Sequence, residues 1–225
     1  MSIFDSMYFL LLVSSLIVFL VSGNRRHLQM RLTAALLAVW LIASGTAVFL
    51  SAVAGWKNNL FIFHILVPVE YTLMMLLFRS DIRNKTAFRL VTWSIPAFII
   101  LSLFLSAFVQ PPVTNNSYST ILESVLLICT SLYFLREVLL LQQVKELHRY
   151  PMFWITVGIL FYYTGTLLTE GMLNYLISHS IETARKLYRL SYVIKYALFV
   201  LFIIGALCNT TKKSNTAWRA RTTFL

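Results

Sequence analysis

Seven long apolar stretches limit what this chain can fold into. A helix needs about 20 mostly apolar residues to cross a bilayer. Stretches of that kind lie at about 7–22, 32–54, 60–78, 90–109, 118–137, 152–177 and 187–208. Because lipid offers no hydrogen-bond partner to a free backbone group, each stretch is expected to be helical. The sequence therefore predicts an all-α, polytopic membrane protein with seven transmembrane helices in a single domain, residues 1–225.

Composition excludes most other classes of protein. Only 12% of the residues are charged, against about 25% in a typical soluble domain. The net charge of +11 comes from basic residues in short loops between apolar runs. Since no nucleic-acid-binding module is visible, no nucleic acid partner is expected. Cys129 and Cys208 lie in or at the end of apolar runs, and no CxxC is present, so neither a disulfide framework nor a zinc site is expected.

The distribution of basic residues predicts the orientation of the spans. The loops after spans 1, 3 and 5 and the C-terminal tail hold 14 Lys and Arg residues, against 4 in the other loops. Positive charge is retained on the cytoplasmic side of a membrane. The amino-terminal flank MSIFDSM is acidic, and the basic cluster follows the first apolar run, so this run is read as a retained span. The predicted topology has the N-terminus outside and the C-terminus cytoplasmic.

Several ionisable residues lie inside the predicted spans, where a charge is costly unless it faces a cavity or a partner. In span 6, Tyr163, Thr166 and Glu170 fall with Thr156 and Asn174 within an arc of about 80° at 100° per residue. Comparable polar stripes occur in spans 5 and 7. We predict that these stripes face one another around an outward-facing polar cavity between spans 3, 5, 6 and 7. The predicted lining residues are His64, Glu70, Tyr71, Glu123, Tyr163, Thr166, Glu170, Asn174, Tyr192 and Lys195.

Two local questions stay open at this level. Pro68 has no N–H to donate to the carbonyl of His64, so span 3 is expected to kink there and free a carbonyl group. A purely structural kink, with Glu70 bonded to a neighbouring helix, is the alternative. Lys195 lies deep in span 7 and needs a partner or must be neutral. Glu170 on span 6 is the favoured partner, and Glu70 on span 3 is the other candidate.

Three stretches carry a resemblance to a known family. They are "NNLFIFHILVPVEYTLMMLLFR" (58–79), "FWITVGILFYYTGTLLTE" (153–170) and "LYRLSYVIKYALFVLFIIGALC" (187–208). Together they resemble a family of small seven-span bacterial inner-membrane proteins common among Bacteroidota. Thr166 and Lys195 depart from the residues expected at their positions. The resemblance implies a multi-pass protein of the bacterial inner (cytoplasmic) membrane, and it implies no chemistry.

Three functional classes fit such a cavity, and a sensor or signalling-accessory protein is the expected one. It would bind a small polar ligand from outside, and its basic loops and tail would contact lipid and a cytoplasmic signalling partner. A small transporter of a polar solute with SWEET-like seven-span topology is the alternative, since "VEYTLMMLLF" and "IKYALFVLFI" align weakly. An intramembrane enzyme is less expected, because His64 is the only His in a span. No catalytic residue, metal ligand or cofactor is predicted.

Overall fold

The computed structural model describes the backbone of residues 3–21, 28–53, 55–56, 58–140, 147–179 and 181–208. Side chains are described for these residues except 173–179, 181, 184, 185 and 188. The helices are α1 (Ile3–Val21), α2 (Leu28–Ala52), α3 (Phe61–Arg79), α4 (Lys85–Phe108), α5 (Ser117–Leu140), α6 (Pro151–His179) and α7 (Ile181–Leu207). Over these ranges the fold is all-helical, and all seven helices are long and apolar enough to cross a membrane. The predicted fold class is therefore confirmed, while the orientation stays a prediction.

Several helices run beyond the predicted apolar spans, and local sequence explains where two of them begin. The Asn84 side chain accepts hydrogen bonds from the N–H groups of Thr86 (2.8 Å) and Ala87 (3.3 Å), and α4 therefore begins at Lys85. α6 begins at Pro151, a first-turn position where the missing N–H costs nothing. α3 runs without interruption through Pro68.

Six of the seven helices pack in a closed ring, and α4 lies outside it. The main packing pairs are α1–α2, α2–α3, α3–α5, α5–α6, α6–α7 and α7–α1, and α4 packs mainly against α3. α3 is the central helix, with 50% of its apolar window buried, against 17% in α4. Polar groups on the inner faces of α3, α5 and α6 are therefore held away from lipid.

Two glycines bring α6 close to α7 and so set the direction of its opposite face. A Cβ atom at Gly165 would lie 2.5 Å from Cδ1 of Ile194, and one at Gly158 would lie 3.2 Å from Cδ1 of Leu198. A larger residue at either position would force side chains of α7 to shift. Tyr163 lies about 140–160° around the helix from both glycines. Its side chain consequently points away from α7, toward α3 and α5.

Candidate functional site

Three side chains from three helices meet inside the bundle. The Tyr163 hydroxyl on α6 donates a hydrogen bond to the Glu70 carboxylate on α3, and its oxygen lies 3.5 Å from Oε1 of Glu123 on α5. Their exposed fractions are 1%, 6% and 2%. Trp40 from α2 also contributes to the electrostatic environment of Glu70. We name Glu70, Tyr163 and Glu123 the acidic cluster. It joins the inner faces of α3, α5 and α6.

Protons are fewer than acceptors in the acidic cluster when both of its carboxyl groups are ionised. A tyrosine hydroxyl carries a single proton, and an ionised carboxylate can only accept. Tyr163 donates to Glu70, so its contact with Glu123 becomes a hydrogen bond only when Glu123 carries a proton. Two ionised carboxylates around one buried hydroxyl would repel each other. The geometry therefore fits a carboxyl pair that holds one shared proton.

Lys195 lies near the acidic cluster without an ion pair to it. Its Nζ lies 5.6 Å from the ring centroid of Tyr8 and 5.7 Å from that of Tyr192. Glu70 and, more weakly, Glu170 attract it electrostatically. Among the residues with described side chains, no salt bridge joins Lys195 to either carboxylate. The structure therefore shows no direct pair with Glu170, which the sequence favoured, and it places the ammonium near two aromatic rings instead.

His64 has a separate set of partners near the start of α3. Nε2 lies 3.1 Å from the carbonyl oxygen of Thr114, and Nδ1 lies 2.8 Å from Oγ of Ser106. A carbonyl can only accept, so in a neutral ring Nε2 carries the hydrogen and Nδ1 accepts from Ser106. His64 therefore ties α3 to α4 and to the loop before α5. Both of its nitrogens are occupied, and it is not part of the acidic cluster.

The remaining predicted lining residues lie in different contacts. Tyr71 is fully buried and stacks on Phe98 of α4, with ring centroids 4.0 Å apart. The Glu170 carboxylate accepts from Nδ2 of Asn115 at 3.2 Å. Tyr192 donates to Oδ1 of Asp5 on α1 at 2.6 Å.

Thr166 and Asn174 are the last two of the predicted lining residues. Thr166 lies on α6, where its carbonyl oxygen accepts from the Thr169 hydroxyl. The side chain of Asn174 lies outside the described residues. The structure therefore gathers three of the ten residues into one cluster and distributes others around the bundle. Whether a water-accessible cavity reaches the cluster stays a prediction.

A second polar cluster lies at the bundle end that carries Asp81, and sequence reasoning missed it. Asp81 follows α3, accepts from the Tyr150 hydroxyl, and lies 3.4 Å from Nε2 of Gln29 on α2. Burial raises the pKa of the Asp81 carboxyl above its ordinary range, and the hydrogen bond from Tyr150 opposes this. We call this end of the bundle the Asp81 end and the opposite end, with Asn115, the Asn115 end. The sequence feature that could have indicated this cluster is Asp81, an acidic residue in an otherwise basic loop.

The described residues include no group of side chains placed to bind a metal ion. In the part of the chain that the structure describes, no three His, Cys, Asp or Glu side chains are arranged to hold a metal ion. No protein-family model, curated protein or solved structure matches the chain. The family resemblance of the sequence therefore stays a prediction, and the functional argument depends on the acidic cluster itself.

Proposed function

We propose that this protein is an integral membrane sensor whose input is the binding of a proton at the acidic cluster. The observation that supports it is the buried contact of Tyr163 with both Glu70 and Glu123. A proton is the ligand that this geometry suits best, because the Tyr163 hydroxyl can donate to only one of the two carboxyl groups. Loss of the shared proton would leave two carboxylates that repel each other across the Tyr163 hydroxyl.

The position of the acidic cluster would let the binding or release of a proton affect the packing of several helices. Its three residues belong to α3, α5 and α6, and Trp40 of α2 also acts on Glu70. A change of charge at the junction of four helices alters how well they pack against one another. Protonation switches act in this way, through a local electrostatic change that biases a packing equilibrium. The protein would lie in the bacterial inner membrane, and its basic loops and tail would transmit the response to a cytoplasmic partner.

A small transporter with SWEET-like topology is the alternative to the sensor. A transporter built from two three-helix repeats is expected to pack helices mainly within each repeat. In this bundle the most extensive packing pairs, α6–α7, α5–α6 and α2–α3, lie within one half of the chain, and α1–α7 and α3–α5 join the two halves. The helix arrangement is therefore compatible with either function, and the sensor proposal depends on the acidic cluster.

Infrared spectroscopy of the protein in nanodiscs tests the proposal. A protonated buried carboxyl has its own carbonyl stretching band, and we expect one that changes with pH. Glu70→Gln and Glu123→Gln should each remove or shift this band. Glu170→Gln is the matched control, because Glu170 lies at the Asn115 end and bonds to Asn115. If no pH-dependent band responds to either cluster substitution, the proposal is wrong.

A flux measurement separates the sensor from the transporter. Proteoliposomes that enclose a pH indicator should show no protein-dependent proton flux under a pH gradient, with or without added sugars or amino acids. A flux that disappears in Glu123→Gln would show that the acidic cluster serves transport and would contradict the sensor proposal.

A further inference from the structure

The outer face of α4 is apolar along most of its length and basic at the Asp81 end. α4 lies outside the ring, and only 17% of its apolar window is buried. Exposed residues recur on this face within an arc of about 80°, at 100° per residue. They include Lys85, Arg89, Trp93, Pro96, Ile100 and Leu103. In a bilayer, lipid chains would cover the apolar part of this face, and its basic end would lie among the lipid headgroups.

A third cation joins this basic end from α3. The guanidinium of Arg79, the last residue of α3, lies over the ring of Phe88 on α4, 4.7 Å from the ring centroid. On a helix, residues three and four positions apart are neighbours. Lys85 is therefore a neighbour of both Phe88 and Arg89, and the three cations surround one turn of α4. We call Arg79, Lys85 and Arg89 the basic cluster.

The carboxylates at this end of the bundle are engaged elsewhere. Asp81 accepts from a tyrosine hydroxyl, and Oε1 of Glu137 accepts from the backbone N–H groups of Arg83 (3.2 Å) and Asn84 (3.3 Å). Both carboxylates attract the charge of Arg83. In the described part of the chain, no salt bridge joins a carboxylate to any member of the basic cluster. Its positive charge is therefore open to an anion from outside the chain.

We infer that the basic cluster and the outer face of α4 bind one anionic phospholipid from the leaflet at the Asp81 end. The phosphate would accept from the two guanidinium groups, whose paired N–H donors match phosphate oxygens, and from the ammonium of Lys85. The acyl chains would lie along Trp93 and Ile100, which are 74% and 69% exposed. Ile100 lies about 16 Å beyond Arg89 along the helix. One leaflet of the hydrocarbon core is about 15 Å thick, so this face has the length of one lipid.

A phospholipid fits this surface better than a soluble anion does. The basic cluster adjoins an apolar surface that a soluble phosphate would leave uncovered. Trp93 lies one turn deeper than Arg89, and tryptophan is enriched at the boundary between headgroups and hydrocarbon. The predicted topology places the Asp81 end on the cytoplasmic side, where anionic lipids give the leaflet a negative surface potential. Charge and apolar surface thus occur together in the order that a lipid requires.

Native mass spectrometry of the purified protein in detergent tests the inference. The protein is titrated with phosphatidylglycerol and, in parallel, with phosphatidylcholine of the same acyl chains, and the Kd of the first bound lipid is measured. One cation near an anionic lipid contributes about a factor of five in binding. Phosphatidylcholine, which has no net charge, should therefore bind at least about fivefold more weakly than phosphatidylglycerol. Lys85→Gln with Arg89→Gln should weaken the binding of phosphatidylglycerol about 25-fold.

Arg31→Gln is the matched control. Arg31 is exposed in the first turn of α2, and Gln29 on the same turn contacts Asp81, so the control removes one positive charge at the same end of the bundle. Its Kd should stay within about twofold of the wild type, because the charge is removed away from the basic cluster. Unfolding temperatures give a second measurement. Phosphatidylglycerol should raise that of the wild type and of Arg31→Gln, and should raise that of the double variant less.

Four results would overturn the inference. Equal binding of the two lipids would show that the headgroup charge is not recognised. Equal weakening by Arg31→Gln and by Arg89→Gln would mean that net charge alone attracts the lipid. Inorganic phosphate that binds alone and is lost in the double variant would assign the basic cluster to a soluble anion. A dimer that dissociates in Trp93→Ala would place a second copy of the chain on the outer face of α4.

Discussion

Removing the hydroxyl of Tyr163 tests whether the acidic cluster stabilises the bundle. Tyr163→Phe keeps the ring, which is 1% exposed, so the apolar packing around the ring is retained. It removes the donor to Glu70 and the oxygen that faces Glu123. A hydrogen bond to a charged group contributes about 1.5–3 kcal/mol, and somewhat more is lost when the acceptor stays buried without its partner. We therefore expect the free energy of unfolding to fall by about 2–4 kcal/mol.

Tyr71→Phe is the matched control. Tyr71 is also fully buried, and its hydroxyl has no hydrogen-bond partner among the described residues. Removing an unpartnered buried hydroxyl relieves a desolvation cost and breaks no hydrogen bond. The ring stacking on Phe98 is retained. The free energy of unfolding should stay within about 0.5 kcal/mol of the wild type or rise.

The assay is a titration with SDS in mixed micelles, followed by circular dichroism, for the wild type and both phenylalanine variants. Combining Tyr163→Phe with Glu70→Gln gives a double-mutant cycle, and we expect strong non-additivity because the two groups are partners. Equal losses for Tyr163→Phe and Tyr71→Phe would refute the reasoning. So would simple additivity of Tyr163→Phe and Glu70→Gln.

Two further predictions concern other parts of the bundle. Gly165→Ala should lower the free energy of unfolding by about 1–3 kcal/mol in the same titration, because its Cβ would lie 2.5 Å from Cδ1 of Ile194; Gly45→Ala, with no atom within 4 Å of the added carbon, should not. The raised pKa of Asp81 means that the folded protein binds this proton more tightly than the unfolded chain does. The stabilisation from this proton is complete below the pKa of Asp81 in the unfolded chain and is lost as the pH rises through its pKa in the folded protein. Asp81→Asn should therefore flatten the dependence of the free energy of unfolding on pH across that window. An unchanged pH profile in Asp81→Asn would contradict this assignment.

The sequence predicted the composition of the polar interior better than its geometry. The stripes on spans 5 and 6 were expected to face each other, and Glu123 and Tyr163 confirm this at one level. Glu170 was assigned to the same space, but it bonds to Asn115 in the loop before α5. A face and a depth can be read from helical periodicity, whereas the partner at that depth depends on how the helices rotate and where the loops fold back.

Lys195 and His64 illustrate the same limit. Lys195 needed a stabilising neighbour, and the sequence offered only carboxylates as candidates. The structure supplies the rings of Tyr8 and Tyr192 in their place, and Tyr8 comes from the far end of the chain. His64 shares a span with Glu70, but its partners are Ser106 and the Thr114 carbonyl. Contacts between residues so distant in sequence leave no periodic signal.

The sequence by itself determined the seven membrane-spanning helices, because each apolar stretch must satisfy its own backbone hydrogen bonds in lipid. It also determined which residues would be too polar to face that lipid. Only the tertiary structure decided that Glu70, Glu123 and Tyr163 meet, since their contact depends on the closed ring and on α6 packing tightly against α7 at Gly165. Hydrophobic burial specifies a face of each helix, and close packing between specific side chains then decides which polar groups on those faces come into contact.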